Sequence, residues 1–75
     1  MTGEECVVYS AGGRLSPREH IVLQLISRGH TNKGVAQRLG IAPETVKSHA
    51  KQIFVKLGAQ SRLEAVMRAL VLGLI

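Results

Sequence analysis

A glycine closes every helix-like apolar run in this chain. Gly29, Gly40, Gly58 and Gly73 each follow a stretch whose apolar residues recur at helical spacing, and a glycine just past the last periodic residue is a common C-terminal stop. Residues 14–75 are thereby divided into four short segments that read as helices over about 17–28, 32–39, 43–57 and 62–72. No run shows the period of two that a half-buried strand requires. The predicted fold class is therefore all-α. Residues 1–13, which end in Gly12-Gly13, read as a flexible N-terminal arm or linker.

The start signals agree with the stops. Ser16-Pro17-Arg18-Glu19 offers a cap, a proline for the first helical position and a carboxylate three residues past the cap, which together make a capping box. Ile21, Val22, Leu25 and Ile26 then predict one buried stripe. Thr31 can cap the second helix, whose Val35, Ala36 and Leu39 share a face, but the capping-box position is Gly34. Gly40-Ile41-Ala42-Pro43 is a tight connection into the third helix, and two helices joined by three or four residues containing glycine form a helix-turn-helix. Ser61-Arg62-Leu63-Glu64 predicts a second complete capping box.

Size and charge narrow the function. Seventy-five residues is below the ~100–200 usual for a domain, so there is one domain, over 14–75, and no room for a large enzyme fold. Net charge is +5, yet residues 1–13 contribute −2, so the helical part carries +7. Such a surplus suits an anionic partner, most often nucleic acid. Cys6 is the single cysteine, which excludes an internal disulfide, and with His20, His30 and His49 it gives no metal-ligand spacing. No metal and no cofactor are expected. The N-terminus does not read as a signal peptide, and the apolar-rich Ala65–Ile75 segment is short and broken by Arg68. A cytoplasmic protein without a membrane partner or a small-molecule ligand is expected.

At about 100° per residue, Val46, Ala50, Ile53, Phe54 and Leu57 of the third helix form the core-facing stripe. Glu44, Lys47, Ser48 and Lys51 fall on the opposite side, with Val55 near them as an apolar misfit. Cations and small hydrogen-bonding side chains on the first half of a helix suit base edges in a major groove; a solvated surface face has the same pattern. Thr31, Asn32 and Lys33 at the start of the second helix, together with Thr45, Lys56 and Arg62, are placed to meet phosphates. His49 sits at the edge of the core stripe, packed or phosphate-facing. On the fourth helix Glu64 and Arg68 are the only polar strip from Leu63 to Leu72. Ala65, Val66 and Ala69 can pack inward, which leaves Leu63, Met67, Leu70 and Val71 for a subunit interface, a two-fold dimer being the commonest form. Cover by the Val7-Val8-Tyr9 arm or by a further domain is the alternative.

Leu15-Ser16-Pro17-Arg18-Glu19, Val22-Leu23, Gly29, Asn32-Lys33, Val35-Ala36, Leu39, Thr45-Val46-Lys47, His49, Lys56-Leu57-Gly58, Arg62, Ala65 and Gly73-Leu74-Ile75 together resemble the LuxR-type (GerE-type) helix-turn-helix domain of bacterial transcription regulators. The resemblance covers 14–75. It implies a scaffold second helix, a recognition third helix and a dimerisation fourth helix. It further implies base contacts at Lys47, Ser48 and Lys51, and DNA backbone contacts near Thr31, Asn32, Lys33, Thr45, His49, Lys56 and Arg62. Gly34 departs from the family's usual Glu, and Ala42 from a frequent Ser. The expected function is sequence-specific double-stranded DNA binding as a homodimer that regulates transcription through RNA polymerase, as an isolated effector domain or a stand-alone regulator. A protein-interaction module pairing through the fourth helix is the second reading. An enzyme is remote, since paired carboxylates, an activated nucleophile and a phosphate-cradling loop are missing.

Overall fold

The computed structural model describes residues 15–75, which form four helices: α1 (Pro17–Ser27), α2 (Asn32–Leu39), α3 (Pro43–Leu57) and α4 (Arg62–Val71). Among the described residues there is no strand. The expected arm over 1–13, and any cover it gives α4, lie outside the described residues.

Local chemistry sets the boundaries. Ser16 Oγ accepts from Glu19 N–H at 3.1 Å while Glu19 Oε1 accepts from Ser16 N–H at 2.8 Å, so the first capping box is complete. Thr31 Oγ1 accepts from Gly34 N–H at 3.1 Å with no carboxylate to reciprocate. Ala42 caps α3 without a side-chain hydrogen bond, and Pro43 supplies the preset first turn. The capping box expected at α4 is only half made. Ser61 Oγ accepts from Glu64 N–H at 3.1 Å, but Glu64 Oε1 accepts from Gln60 N–H at 2.6 Å, one residue further back than a box requires. Ser61 has a strongly extended φ of −148°, against −73° at Ser16, so the two caps meet their helices with different backbone geometry. Gly40 and Gly58 close α2 and α3 in the left-handed region, at φ 69° and 68°, where a Cβ would be strained.

The turn Gly40-Ile41-Ala42 joins α2 to α3, and Ile41 N–H donates to Ala36 O at 3.1 Å, which folds the connection back on α2. α3 is the hub, packing against α1, α2 and α4. Its Val46, Ala50, Ile53 and Leu57 are buried with Val22, Leu23 and Ile26 of α1, Val35 and Ala36 of α2, and Ala65 and Ala69 of α4; Leu15 and Leu74 complete the core. The tail is pinned to α1, since Leu74 O, which can only accept, takes a hydrogen bond from His20 Nε2 at 2.9 Å.

The stripe of α1 is rotated from the expected one. Leu23 is fully buried while Ile21 is 42% exposed and Leu25 only half-buried. The buried positions are Glu19, Val22, Leu23 and Ile26, a regular i, i+3, i+4, i+7 face that runs through a carboxylate. Reading apolar residues alone displaces that face. Glu19 is tolerated because Lys56 Nζ of α3 lies 2.7 Å from its Oε1, a pair with side-chain exposures of 21% for Lys56 and 7% for Glu19. Burial pushes the Glu19 carboxyl up, but the Lys56 ammonium and the hydrogen bonds at Ser16 outweigh it and hold it below the usual carboxylate range.

A lowered folded pKa means that this stabilisation is complete above the ordinary carboxylate value and is lost as pH falls through the folded one. Glu19→Gln is therefore expected to lower the melting temperature at pH 7 and to make it less sensitive to acid than that of the parent chain. Lys56→Met strands the carboxylate and is expected to cost about 2 kcal/mol; a parent-like melt for both variants would contradict this assignment. At Gly34 an added Cβ would meet Thr31 Oγ1 at 3.4 Å and nothing closer, and φ there is not positive. Gly34→Ala is expected to stabilise by about 0.8–1.0 kcal/mol, and Gly34→Glu by more, through a carboxylate that completes the Thr31 box. Thermal unfolding of the pair checks it, and an unchanged or lower midpoint for Gly34→Glu would be the contrary result.

Candidate nucleic-acid interface

With one side of α3 fixed in the core, the other is presented to solvent. Glu44, Thr45, Lys47, Ser48, Lys51 and Gln52 are exposed, and Val55, at 59%, continues the same face one turn beyond Lys51. The three side chains expected to read bases, Lys47, Ser48 and Lys51, stand together on this outer side. Two ion pairs exist among the described residues, Lys56 with Glu19 and Arg68 with Glu64, so Lys33, Lys47 and Lys51 form no ion pair with a described carboxylate. Cations outside internal ion pairs can meet an anion without first having to break such pairs.

The residues expected near phosphates divide into two groups. Thr31, Lys33 and Thr45 are exposed, and His49 is half-buried at the edge of the α3 stripe. The amides of Asn32 and Lys33 have no hydrogen-bond partner among the described residues, which leaves donors free at the start of α2. Lys56, Asn32 and Arg62, by contrast, are occupied within the chain. Lys56 holds Glu19. Arg62 Nη2 donates to Asn32 Oδ1 at 2.6 Å and Arg62 Nη1 to His30 O at 3.4 Å. His30, Asn32 and Arg62 border a shallow hollow of about 430 Å³ that Thr31 and Lys33 also line.

Glu19 and His30 are the participants that residue patterns missed. His30 acts through its main-chain carbonyl, for which the residue type gives no signal. Glu19 was legible as a cap, and its place on the i, i+3, i+4, i+7 face with Val22, Leu23 and Ile26 was the clue to its second role. On α4, Leu63, Met67, Leu70 and Val71 are 69%, 56%, 59% and 86% exposed, and Leu72 adds to the patch. Leu63, Met67, Val71 and Leu72 line a groove of about 740 Å³ between α4 and the end of α3. The described residues include no group of three His, Cys, Asp or Glu that could hold a metal ion, and no helix long and apolar enough to cross a membrane.

Known proteins resemble this chain in sequence and fold. The chain is 47% identical over 60 residues to the HTH-type transcriptional activator RamA of Corynebacterium glutamicum, covering 80% of this chain and 21% of that protein. It is 44% identical over 54 residues to the nitrate/nitrite response regulator protein NarL of Escherichia coli K12, covering 72% and 25%. Against the uncharacterized response regulatory protein YgeK of the same organism, identity is 40% over 65 residues, covering 87% and 44%. A chain in the crystal structure of the phage VqmA-DPO complex superposes with a TM-score of 0.77 at 34% identity, over 81% of this chain and 28% of that one. The chain thus spans between 6% and 44% of the length of these and other curated relatives. Residues 13–69 match the family described as bacterial regulatory proteins, luxR family. The chain belongs to that family, and its four helices are a LuxR-type helix-turn-helix domain of DNA-binding transcription regulation.

Proposed function

We propose that this domain binds double-stranded DNA sequence-specifically as a homodimer in the cytoplasm, with α3 in the major groove, and regulates transcription through contact with RNA polymerase. The observation that carries the proposal is the outer face of α3. Lys47, Ser48 and Lys51 are exposed there, without ion-pair partners among the described residues, on a helix whose reverse side is fully packed. Lys donates to guanine O6 and N7, and Ser pairs with several base edges. Thr31, Lys33, Thr45 and His49 hold the backbone on either side, while the side chains of Asn32, Lys56 and Arg62 are engaged within the chain.

The exposed face of α4 is the dimer contact in this proposal. Leu63, Met67, Leu70 and Val71 present an apolar patch on a small charged domain, and a two-fold interface buries the same patch on both copies. Pairing there would set two α3 helices on half-sites about one helical turn apart. RamA and NarL are named as a transcriptional activator and a response regulator, which supports regulation as the outcome.

Two sets of substitutions test the proposal. Lys51→Ala is expected to weaken binding to a preferred duplex by about 1–3 kcal/mol and to relax preference at one base position. Lys33→Ala should weaken all duplexes alike and flatten the salt slope by about one unit; Lys33 serves because Lys56 is committed to Glu19. Identical behaviour of the two variants would refute the division into reading and holding residues. For the dimer, Leu70→Glu should give a monomer by sedimentation, and an unaltered mass would place the contact elsewhere.

A further inference from the structure

α2 and α4 do not pack on each other; each rests on α1 and α3. The described link between them is polar. Arg62 is the first residue of α4 and Asn32 the first residue of α2, and the 2.6 Å hydrogen bond from Arg62 Nη2 to Asn32 Oδ1 joins the two N-terminal turns. The second branch, Nη1, reaches His30 O at 3.4 Å, one residue before the Thr31 cap. The guanidinium thus spans the entry to α2, holding a side chain inside the helix and a carbonyl outside it. We propose that Arg62 is a positioning residue that fixes the first turn of α2 relative to α4, and does not itself hold a DNA phosphate.

The local chemistry of α2 gives the tether its importance. α2 has eight residues, lacks a first-turn acid and carries Gly34 in its first turn, so its intrinsic start is weak. Its N-terminal turn also bears the free amides of Asn32 and Lys33 and the exposed Thr31 and Lys33. Those groups can meet a phosphate in a fixed register only if something outside α2 sets their place. Arg62 and Asn32 are both half-buried, and a planar fork satisfies two acceptors in one geometry, which the single ammonium of a lysine does not reproduce. Because α4 carries the proposed dimer face, the same bridge ties the phosphate-facing turn of each subunit to the two-fold contact. This inference rests on the DNA-binding reading for its consequence, whereas the tether itself does not depend on DNA.

The test uses the full chain as Arg62→Ala, Arg62→Lys, Asn32→Ala and the Arg62→Ala/Asn32→Ala double variant, with two readouts. Without DNA, amide hydrogen exchange is measured across α2. Arg62→Ala and Arg62→Lys are expected to speed exchange at Gly34 and Val35, with α1 and α3 protected as in the parent, which also reports that the variants fold. With a duplex that the parent binds, titrated across salt, each single variant is expected to lose about tenfold in affinity. The double variant should be no more than about twofold worse than the singles, because both remove one interaction, and the salt slope should stay within about half a unit of the parent. Additive losses, with the slope of Arg62→Ala reduced by about one, would make Arg62 a phosphate ligand and overturn the proposal. Parent-like exchange at the start of α2 in Arg62→Ala would overturn it as well. Should the parent bind no duplex, the DNA reading fails and the exchange measurement alone decides the tether.

Discussion

Burial of one face of α3 is the constraint on which everything else in this small domain depends. Val46, Ala50, Ile53 and Leu57 form a single stripe that every other helix packs against; α1 also rests on α2 and α4, and only α2 and α4 lack direct packing on each other. A helix packed on its reverse side loses little further freedom when its outer side meets a ligand, and that preorganisation reduces the entropy cost of binding. The core is aliphatic, and its contribution from α4 is two alanines, Ala65 and Ala69. Small residues let α4 approach closely while Leu63, Met67, Leu70 and Val71 stay outside. The same sequence choice that closes the core therefore creates the exposed patch at Leu63, Met67, Leu70 and Val71.

Polar side chains set the angles that apolar contact alone leaves loose. The Lys56–Glu19 pair joins the last turn of α3 to the first turn of α1, and because Glu19 also closes the Ser16 capping box, one carboxylate both starts a helix and locks it to its neighbour. Arg62 does the comparable thing for α4 and α2, and His20 for the tail at Leu74. Each joins residues thirty or more positions apart. A buried or half-buried ion pair adds little net stability relative to apolar packing but is costly to break from one side, which makes such links effective at enforcing one arrangement.

Most of the fold was legible in the residues, because caps and stops are local chemistry. Ser16, Thr31, Ser61, Pro17 and Pro43, with the glycines at 40 and 58, place the helix boundaries to within a residue at each end. The α4 surface was legible too, since an arc as wide as Leu63 to Leu72 cannot all face one core. What escaped depends on long-range geometry. The α1 stripe was displaced because a carboxylate occupies one of its positions and the partner that permits this, Lys56, is 37 residues away. The α4 capping box depended on whether Glu64 turns to Ser61 or Gln60, a choice of backbone angle that residue types do not encode. At the interface, composition identified the cations near α3 but could not separate Lys47 and Lys51, which are exposed and without an ion pair among the described residues, from Lys56 and Arg62, which are held within the chain.

The central claim is that the outer face of α3, doubled by a two-fold contact through α4, reads a DNA sequence. Selection of bound duplexes from a random-sequence pool, at a stated salt concentration, tests it most directly. Enrichment of a two-fold-symmetric motif whose half-sites lie about one helical turn apart is expected. Salt-sensitive retention of DNA with no sequence enriched would contradict it, because charge alone would then account for all the binding.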